Sequence, residues 1–364
     1  MGFHRNDTTN ANKEHGDAIE PRKELKKDTI NKIGVIGAGS WGTTLANHLA
    51  KKGFRVDIWV REEEVFHQIE KERINGVFLP DMELDPQLRP VRSYEEALYD
   101  KDLMLIVVPS HVYREVLRGT KPYLSRKMRV ISATKGIENK TLMIMSQIAE
   151  DVLGKEAMGK FACLAGPSFA KEVYKKYPTA VTIACRNLDD AKKLQEIFYT
   201  EYFRVYVSED LVGCQLAGAL KNVIAIAAGA ADGLNVGHNA RAALITRGLA
   251  EITRLAVAMG ANPHTLAGLA GMGDLVLTCT GDLSRNRSVG LKIGKGMSLD
   301  EIIGSMNMVA EGIKTTRSAY ELGKKMEVEM PITDQVYNIL YGGKDPKEAV
   351  KELMTRELKV ELEH

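Results

Sequence analysis

A glycine-rich turn lies between two short apolar runs near the beginning of the chain. The turn is Gly37-Ala38-Gly39-Ser40-Trp41-Gly42, a G-x-G-x-x-G sequence. It follows the strand-like run 33–36 and leads into a helix-compatible segment, 43–52, after which Gly53 marks a helix end and residues 54–60 read as a second strand. In this setting the three glycines permit a tight turn, close approach of a pyrophosphate, and close packing of helix on strand. The pattern predicts a dinucleotide-binding unit with phosphates at the helix N-terminus; the alternative is a purely structural turn.

Length and composition restrict the possible classes of protein. The chain has 364 residues, which predicts about two domains. Its net charge of +2 creates no field that would recruit nucleic acid, so an anionic ligand needs a local cluster of cations and backbone donors. Long apolar runs and a signal-peptide core are not evident, so we expect no integral membrane segment. The cysteines are Cys163, Cys185, Cys214 and Cys279. Their spacings match no metal or redox motif. We therefore expect no metal site, and reduced thiols in a cytoplasmic protein.

The chain divides into three regions that differ in composition and in hydrophobic pattern. Residues 1–30 are polar and aperiodic, which predicts a disordered leader. Residues 31–207 alternate strands and helices, as expected for a parallel sheet in a Rossmann-type domain. Residues 208–364 are rich in Ala and Gly and predict an all-α domain in which Gly213, Gly218 and Gly229 allow close approach of helices or ligand. Beyond the first unit, the predicted strands are 103–108, 128–133, 161–165, 180–185 and 204–207, and the long predicted helices are 210–231 and 239–259.

Polar side chains follow three of the predicted strands, at the sheet edge where open α/β folds bind ligands. The loops are 107–111, 132–136 and 164–169. Lys135 lies beside Gly136 in an otherwise uncharged loop and is a functional candidate, the alternative being a solvated lysine. Ser168 is compatible both with a helix N-cap and with contact to a phosphate or hydroxyl.

Lys221 is the strongest catalytic candidate. Its helical neighbours three and four positions away are Ala217, Gly218, Ile224 and Ala225. Such a face predicts a desolvated amine whose pKa is lowered, which suits a general acid that protonates an alkoxide near neutral pH. The alternative is a lysine that extends to solvent or forms a salt bridge.

Two further motifs follow in the helical half. Asp274 lies in the glycine-flanked turn 271–275, where it can orient Lys221 or a substrate hydroxyl, or cap a helix. The sequence Ser284-Arg285-Asn286-Arg287 offers hydroxyl, guanidinium and amide groups, and predicts a phosphate site with Arg285 as a bidentate donor. The alternative is a solvated basic turn.

These motifs resemble those of the bacterial NAD(P)-dependent sn-glycerol-3-phosphate dehydrogenases over residues 33–351. The resemblance implies a Rossmann-type domain followed by an all-α domain similar to that of 6-phosphogluconate dehydrogenase. It also implies reversible reduction of dihydroxyacetone phosphate to sn-glycerol 3-phosphate for phospholipid synthesis. The matching segments are 37–42, 107–111, 133–136, 165–170, 221–226, 239–241, 244–248, 271–280, 284–287 and 329–332.

The resemblance implies roles for individual residues. Lys221 is implied to be the acid/base. The implied substrate contacts are Lys135, Gly166, Ser168, Lys221, Asp274, Ser284, Arg285 and Asn286. The implied cofactor contacts are Ser40, Trp41, Arg61, Lys135, Ala170, Arg285, Val309 and Glu311, in addition to the turn glycines Gly37, Gly39 and Gly42.

Cofactor choice depends on the end of the second strand, Asp57-Ile58-Trp59-Val60-Arg61-Glu62. An acidic residue there would bind the ribose of NAD, whereas arginine would accept the 2′-phosphate of NADP. Both types are present, and position favours Arg61. We therefore expect NADP(H) to serve at least as well as NAD(H).

Two other functions stay open at this point. One is a β-hydroxyacid or 6-phosphogluconate type of dehydrogenase, against which the Arg285 cluster argues because it suits a phosphorylated substrate. The other is a catalytically silent redox sensor, against which the combination of Lys221, Asp274 and Arg285 argues. The Ala/Gly-rich helical half also indicates a possible homodimer.

Overall fold

The computed structural model describes residues 2, 30–306, 310–358 and 360–361. The predicted leader, 1–30, lies outside the described residues except for Gly2 and Ile30, and so does Val309. In the described part, all strands precede residue 209 and the rest is helical. The strands are β1 Lys32–Ile36, β2 Arg55–Trp59, β3 Ile74–Asn75, β4 Leu79–Glu83, β5 Leu88–Val91, β6 Leu103–Ile106, β7 Arg129–Ser132, β8 Phe161–Ala165, β9 Thr179–Cys185 and β10 Phe203–Ser208.

The helices surround the sheet and then form the second half of the molecule. Those of the first half are α1 Ser40–Lys51, α2 Glu63–Glu72, α3 Tyr94–Leu98, α4 Tyr113–Thr120, α5 Met145–Leu153, α6 Ala170–Tyr174 and α7 Leu188–Phe198. Those of the second half are α8 Leu211–Gly233, α9 His238–Ala258, α10 Pro263–Ala267, α11 Asp274–Thr280, α12 Arg285–Gly294, α13 Leu299–Gly304, α14 Glu311–Lys325, α15 Pro331–Gly342 and α16 Pro346–Met354. The proposed division at residues 207–208 falls at the end of β10 and stays a prediction about folding units.

The main sheet has eight strands in the order β10-β9-β8-β7-β6-β1-β2-β5. The strand order reverses between β1 and β6, which is the switch point where such sheets bind ligands. The pairs of the main sheet are parallel, as expected, except that β9 runs antiparallel to β8. The connection between them contains only the five-residue helix α6, too short to carry the chain back along the sheet for a parallel pair. The sequence patterns also missed β5 and the small β3–β4 sheet.

Helix α8 is the centre of the helical half and is buried along most of its length. By length and composition α8 could cross a membrane, but 89% of its most apolar window is buried in protein. The predicted close approach at Gly229 is found, because a Cβ there would lie 2.0 Å from the carbonyl oxygen of Arg287. A Cβ on Gly290 would likewise lie 2.0 Å from the carbonyl oxygen of Ile226. The backbones of α8 and α12 are therefore in direct contact, which fixes the N-terminus of α12 beside the middle of α8.

One segment of the first half packs onto the second. After β7 the chain passes Lys135, and Ile137 and Ile144 enter the hydrophobic core of the helical half. The Ser318 hydroxyl of α14 donates to the carbonyl oxygen of Ile137 at 3.3 Å. This packing holds Lys135 at the junction of the two halves.

Candidate active site

The glycine-rich turn has the geometry that its sequence predicts. Gly37 has φ +115°, and a Cβ there would lie 2.3 Å from the carbonyl oxygen of Val107. A Cβ on Gly42 would lie 2.0 Å from the carbonyl oxygen of Gly37, whereas one on Gly39 would meet nothing within 4 Å. The first and third glycines thus allow close packing, and the second leaves an open approach. Helix α1 has no acidic residue in its first turn, so its positive end is free for a phosphate.

The carboxyl end of β2 is followed by Arg61 and then by Glu62. Asp57 lies in mid-strand and is engaged by Arg89 at 2.8 Å and by Lys101 at 2.7 Å. The Arg61 side chain is 72% exposed and forms an ion pair with Glu62 at 2.6 Å. Arg92 donates to the carbonyl oxygens of Val60 and Arg61 at 3.2 and 3.1 Å, which fixes the backbone at this tip.

Lys221 lies at the centre of a buried polar cluster. Its residue is 7% exposed, and its Nζ donates to Asp274 Oδ1 at 2.6 Å and to Thr278 Oγ1 at 2.7 Å. Burial lowers the pKa of Lys221 to about 8, although the Asp274 carboxylate acts in the opposite direction. Lys221 is thus both desolvated, as the sequence predicts, and salt-bridged, which was part of the alternative interpretation.

Asp274 joins Lys221 to a second lysine. Its Oδ2 accepts from Lys135 Nζ at 2.7 Å, and its residue is 1% exposed. Burial acts to raise the pKa of Asp274, but the two ammonium groups hold it below its usual range. Asp274 is the first residue of α11 and orients the lysine rather than capping the helix. Sequence reasoning missed Thr278, although its spacing of four from Asp274 on one helix placed both on the same face.

The loop after β8 borders this cluster. Gly166 has φ +124°, and its carbonyl oxygen accepts from Lys135 Nζ at 3.4 Å and from the Ser168 hydroxyl at 3.0 Å. The N-cap interpretation of Ser168 was wrong, because Phe169 is the N-cap of α6. Ala170 begins α6, and its carbonyl oxygen accepts from Thr44 of α1 at 3.4 Å. This loop therefore connects the dinucleotide turn to the lysine cluster.

The sequence 284–287 forms the start of α12. Ser284 is the N-cap and accepts from the Arg287 backbone N–H at 3.2 Å. Asn286 is buried, donates to Asn222 Oδ1 at 2.9 Å and accepts from the Gly312 N–H at 2.9 Å. Arg285 is exposed at the first helical position. The alternative of a solvated basic turn does not fit Ser284 and Asn286, which are buried.

Glu311 completes the group at the beginning of α14. Burial raises the pKa of Glu311 to about 7, while the charges of Arg285, Lys135 and Lys221 act to lower it. The Ser110 backbone N–H also acts to lower this pKa. The loop 107–111 of the sheet therefore lies near the beginning of α14. Val309, the other implied cofactor contact nearby, lies outside the described residues.

The described residues offer no metal site. Among the described residues, no cluster of three or more His, Cys, Asp or Glu side chains could hold a metal ion. The four cysteines are free and buried.

A dinucleotide turn at the switch point of the sheet, beside a buried lysine–carboxylate–lysine cluster, defines the class of two-part nicotinamide-dependent dehydrogenases. Family models narrow the class: the N-terminal part of NAD-dependent glycerol-3-phosphate dehydrogenase matches residues 32–191, and the C-terminal part matches residues 210–351. The chain belongs to this family and is an NAD(P)-dependent oxidoreductase. This membership argues against both the β-hydroxyacid type of dehydrogenase and the redox sensor.

Individual relatives agree with the family match. The chain is 56% identical over 330 residues to the glycerol-3-phosphate dehydrogenase [NAD(P)+] of Geobacter metallireducens, covering 91% of this chain and 98% of the relative. It is 53% identical over 331 residues to that of Syntrophobacter fumaroxidans, covering 91% and 97%. The crystal structure of glycerol-3-phosphate dehydrogenase from Coxiella burnetii is similar, with a TM-score of 0.86 and 40% identity over 90% of this chain and 99% of that one.

Proposed function

We propose that the enzyme catalyses the reversible NAD(P)H-dependent reduction of dihydroxyacetone phosphate to sn-glycerol 3-phosphate, with Lys221 as the general acid/base. The observation that carries this proposal is the buried Lys221–Asp274–Lys135 cluster at the junction of the dinucleotide-binding and helical halves. The chemistry requires a proton donor there, and a lysine with a pKa of about 8 provides one near neutral pH.

The residues at the sheet edge suit a dinucleotide. Gly39 leaves room for a pyrophosphate, and the N-terminus of α1 attracts its charge. When bound, NAD(P)H supplies a hydride to the C2 carbonyl carbon of the substrate. We assign cofactor contacts to Ser40, Trp41, Arg61, Lys135, Ala170, Arg285, Val309 and Glu311, together with the turn glycines Gly37, Gly39 and Gly42.

Lys221 would transfer a proton from Nζ to the C2 oxygen as negative charge develops on it. Asp274 and Thr278 each accept a hydrogen bond from that Nζ, so two of its three N–H bonds are fixed and the third is available to the substrate. General acid catalysis of this kind contributes about 10²–10⁴-fold. In the reverse direction the neutral amine would take the proton from the C2 hydroxyl.

Lys135 would stabilise the same charge from the other side. Its Nζ is held by Asp274 and by the Gly166 carbonyl oxygen, so the positive charge is in place before the reaction begins. A fixed cation near a developing oxyanion lowers the barrier without reorganisation. Asp274 thus acts by holding both lysines, and Ser168 and Gly166 border the same space.

The start of α12 would bind the phosphate of the substrate. The N-terminus of this ten-residue helix attracts an anion. Arg285 at its first position would add a charge-assisted bond, while Ser284 and Asn286 hold the turn in shape. Because the phosphate does not react, its binding energy would serve to place C2 beside the nicotinamide.

We further propose that the reaction supplies the glycerol backbone for phospholipid synthesis and takes place in the cytoplasm. Four free, buried cysteines support a reducing compartment. We also retain the homodimer as a proposal. The partners are then a small phosphorylated substrate and a second copy of the chain, with no nucleic acid.

The test is the loss of absorbance at the reduced-nicotinamide band when the purified enzyme is mixed with dihydroxyacetone phosphate and either NADPH or NADH. Rapid oxidation is expected with dihydroxyacetone phosphate. None is expected with unphosphorylated dihydroxyacetone or with the oxo acids that β-hydroxyacid dehydrogenases form, tested at equal concentration. A preference for such an oxo acid, or no oxidation despite measured NADPH binding, would overturn the proposal.

A further inference from the structure

A buried asparagine contacts the dinucleotide turn from outside the glycine motif. Asn75 is the last residue of β3 and is 0% exposed. Its Nδ2 donates to the carbonyl oxygen of Ala38 and to Thr43 Oγ1, both at 2.8 Å. Its Oδ1 accepts from the Phe78 backbone N–H at 3.1 Å. The side chain is therefore fully bonded, and its orientation is fixed by the β3–β4 segment.

The carbonyl group that Asn75 binds belongs to the peptide unit between Ala38 and Gly39. The same oxygen also accepts from the Thr43 hydroxyl at 3.1 Å. In a trans peptide the C=O and N–H bonds point in opposite directions. Holding the Ala38 oxygen toward buried Asn75 therefore turns the Gly39 N–H the opposite way. The space beside Gly39 is open, because a Cβ added there would meet nothing within 4 Å.

We propose that Asn75 is a positioning residue for the cofactor: it sets the orientation of the Ala38–Gly39 peptide group and thereby directs the Gly39 N–H at the pyrophosphate of NAD(P). The small β3–β4 sheet, which lies apart from the eight-stranded sheet, then has a role in cofactor binding. The inference depends on dinucleotide binding and not on the proposed substrate.

The test compares Asn75→Ala with Asn47→Ala as a matched control. Asn47 is also buried, at 2% exposure, and its Oδ1 accepts from the Asp85 N–H at 2.8 Å. It therefore anchors the chain just beyond β4 without a bond to the turn. Dissociation constants would be measured by fluorescence titration for NADPH, for ADP-ribose, and for 2′-AMP, which has no pyrophosphate.

In Asn75→Ala we expect NADPH and ADP-ribose to bind about 10-fold more weakly, as for loss of one buried hydrogen bond. Binding of 2′-AMP, and all three constants in Asn47→Ala, should stay within about 2-fold of wild type on the same energetic scale. Unchanged ADP-ribose binding, or equal weakening of ADP-ribose and 2′-AMP, would overturn the proposal. If Asn75→Ala does not fold, Asn75→Asp replaces it, because aspartate keeps the side-chain size and the acceptor for Phe78 but lacks the N–H donor. The changes in binding expected for Asn75→Ala, and the results that would overturn the proposal, are the same for Asn75→Asp.

Discussion

The pKa of Lys221 is set by two opposing effects, burial of the amine and a fixed carboxylate beside it. Burial disfavours the ammonium form, and Asp274 limits that effect, so that the pKa lies at about 8. A fully paired surface lysine would hold its proton too tightly to act as an acid near neutral pH. An unpaired buried lysine would lose its proton too readily.

This environment predicts opposite pH dependences for the two directions of reaction. With Lys221 as the proposed general acid, reduction needs its protonated form, so kcat/KM for dihydroxyacetone phosphate should fall as pH rises through about 8. Oxidation of sn-glycerol 3-phosphate needs the neutral amine and should rise over the same range. Initial rates in both directions between about pH 7 and 10 would measure this. A reduction profile that stays flat across that range would contradict the assignment.

Arg61 should decide how well NADP(H) competes with NAD(H). In Arg61→Ala we expect the KM for NADPH to rise about 10-fold relative to that for NADH, since a charge-assisted bond to the 2′-phosphate is lost. Arg55→Ala is the matched control, because Arg55 is exposed at the opposite end of the same strand. An Arg61→Ala variant with an unchanged ratio of the two Michaelis constants would remove Arg61 from cofactor selection.

At the scale of elements, contact between α8 and α12 positions the turn that is proposed to bind phosphate. Gly290→Ala would place a Cβ 2.0 Å from the Ile226 carbonyl oxygen and force the helices apart. We expect a loss of about 1–3 kcal/mol in the free energy of unfolding and a higher KM for dihydroxyacetone phosphate. Denaturant titration and steady-state kinetics would measure both quantities.

Gly304→Ala is the control for this substitution, because a Cβ on Gly304 at the end of α13 would meet nothing within 4 Å. It should leave stability and KM near wild type. If Gly290→Ala behaves like Gly304→Ala, the close helix contact does not position the site.

The elements that the sequence predicts well are those with a local signal. The glycine turn, α1 and α8 carry periodicity and spacing that are read over neighbouring residues. The direction of β9 and the existence of the β3–β4 sheet depend instead on pairing with distant strands. Asn75 illustrates the limit, since it reaches the Ala38 carbonyl from 37 positions away in the chain.

The same limit applies to the candidate site. The apolar neighbours of Lys221 predicted its burial, because helical spacing is a local property. The bond from Lys135 to Asp274 joins residues 139 positions apart, and the pattern around either residue contains no signal for it. Only the packing of the two halves brings both lysines to one carboxylate.

At the scale of the whole molecule, the proposed homodimer would form through the helical half. Helix α9 leaves Ala242, Ala243 and Val257 exposed, and small apolar residues suit close contact between helices. We expect the enzyme to sediment as a dimer at micromolar concentration, and Ala243→Glu to shift it toward a monomer that stays folded. Sedimentation of the wild type as a monomer under these conditions would contradict the expectation.

The two halves of the molecule meet at the candidate site, and both contribute side chains to the Lys221–Asp274–Lys135 cluster. Lys135 comes from the sheet half, whereas Lys221 and Asp274 come from the helical half. This arrangement would place Lys221, the proposed proton donor, where the cofactor and the phosphorylated substrate meet. The proposed role of Lys221 therefore depends on both halves.

The most direct measurement is the rate of NADPH oxidation with saturating dihydroxyacetone phosphate in Lys221→Ala, beside NADPH binding in the same preparation. Lys325→Ala, which alters an exposed lysine of α14, is the control and should match wild type in both. We predict that Lys221→Ala binds NADPH with wild-type affinity and loses about 10²–10⁴-fold in turnover. Near wild-type turnover in that variant would show that Lys221 is not the proton donor.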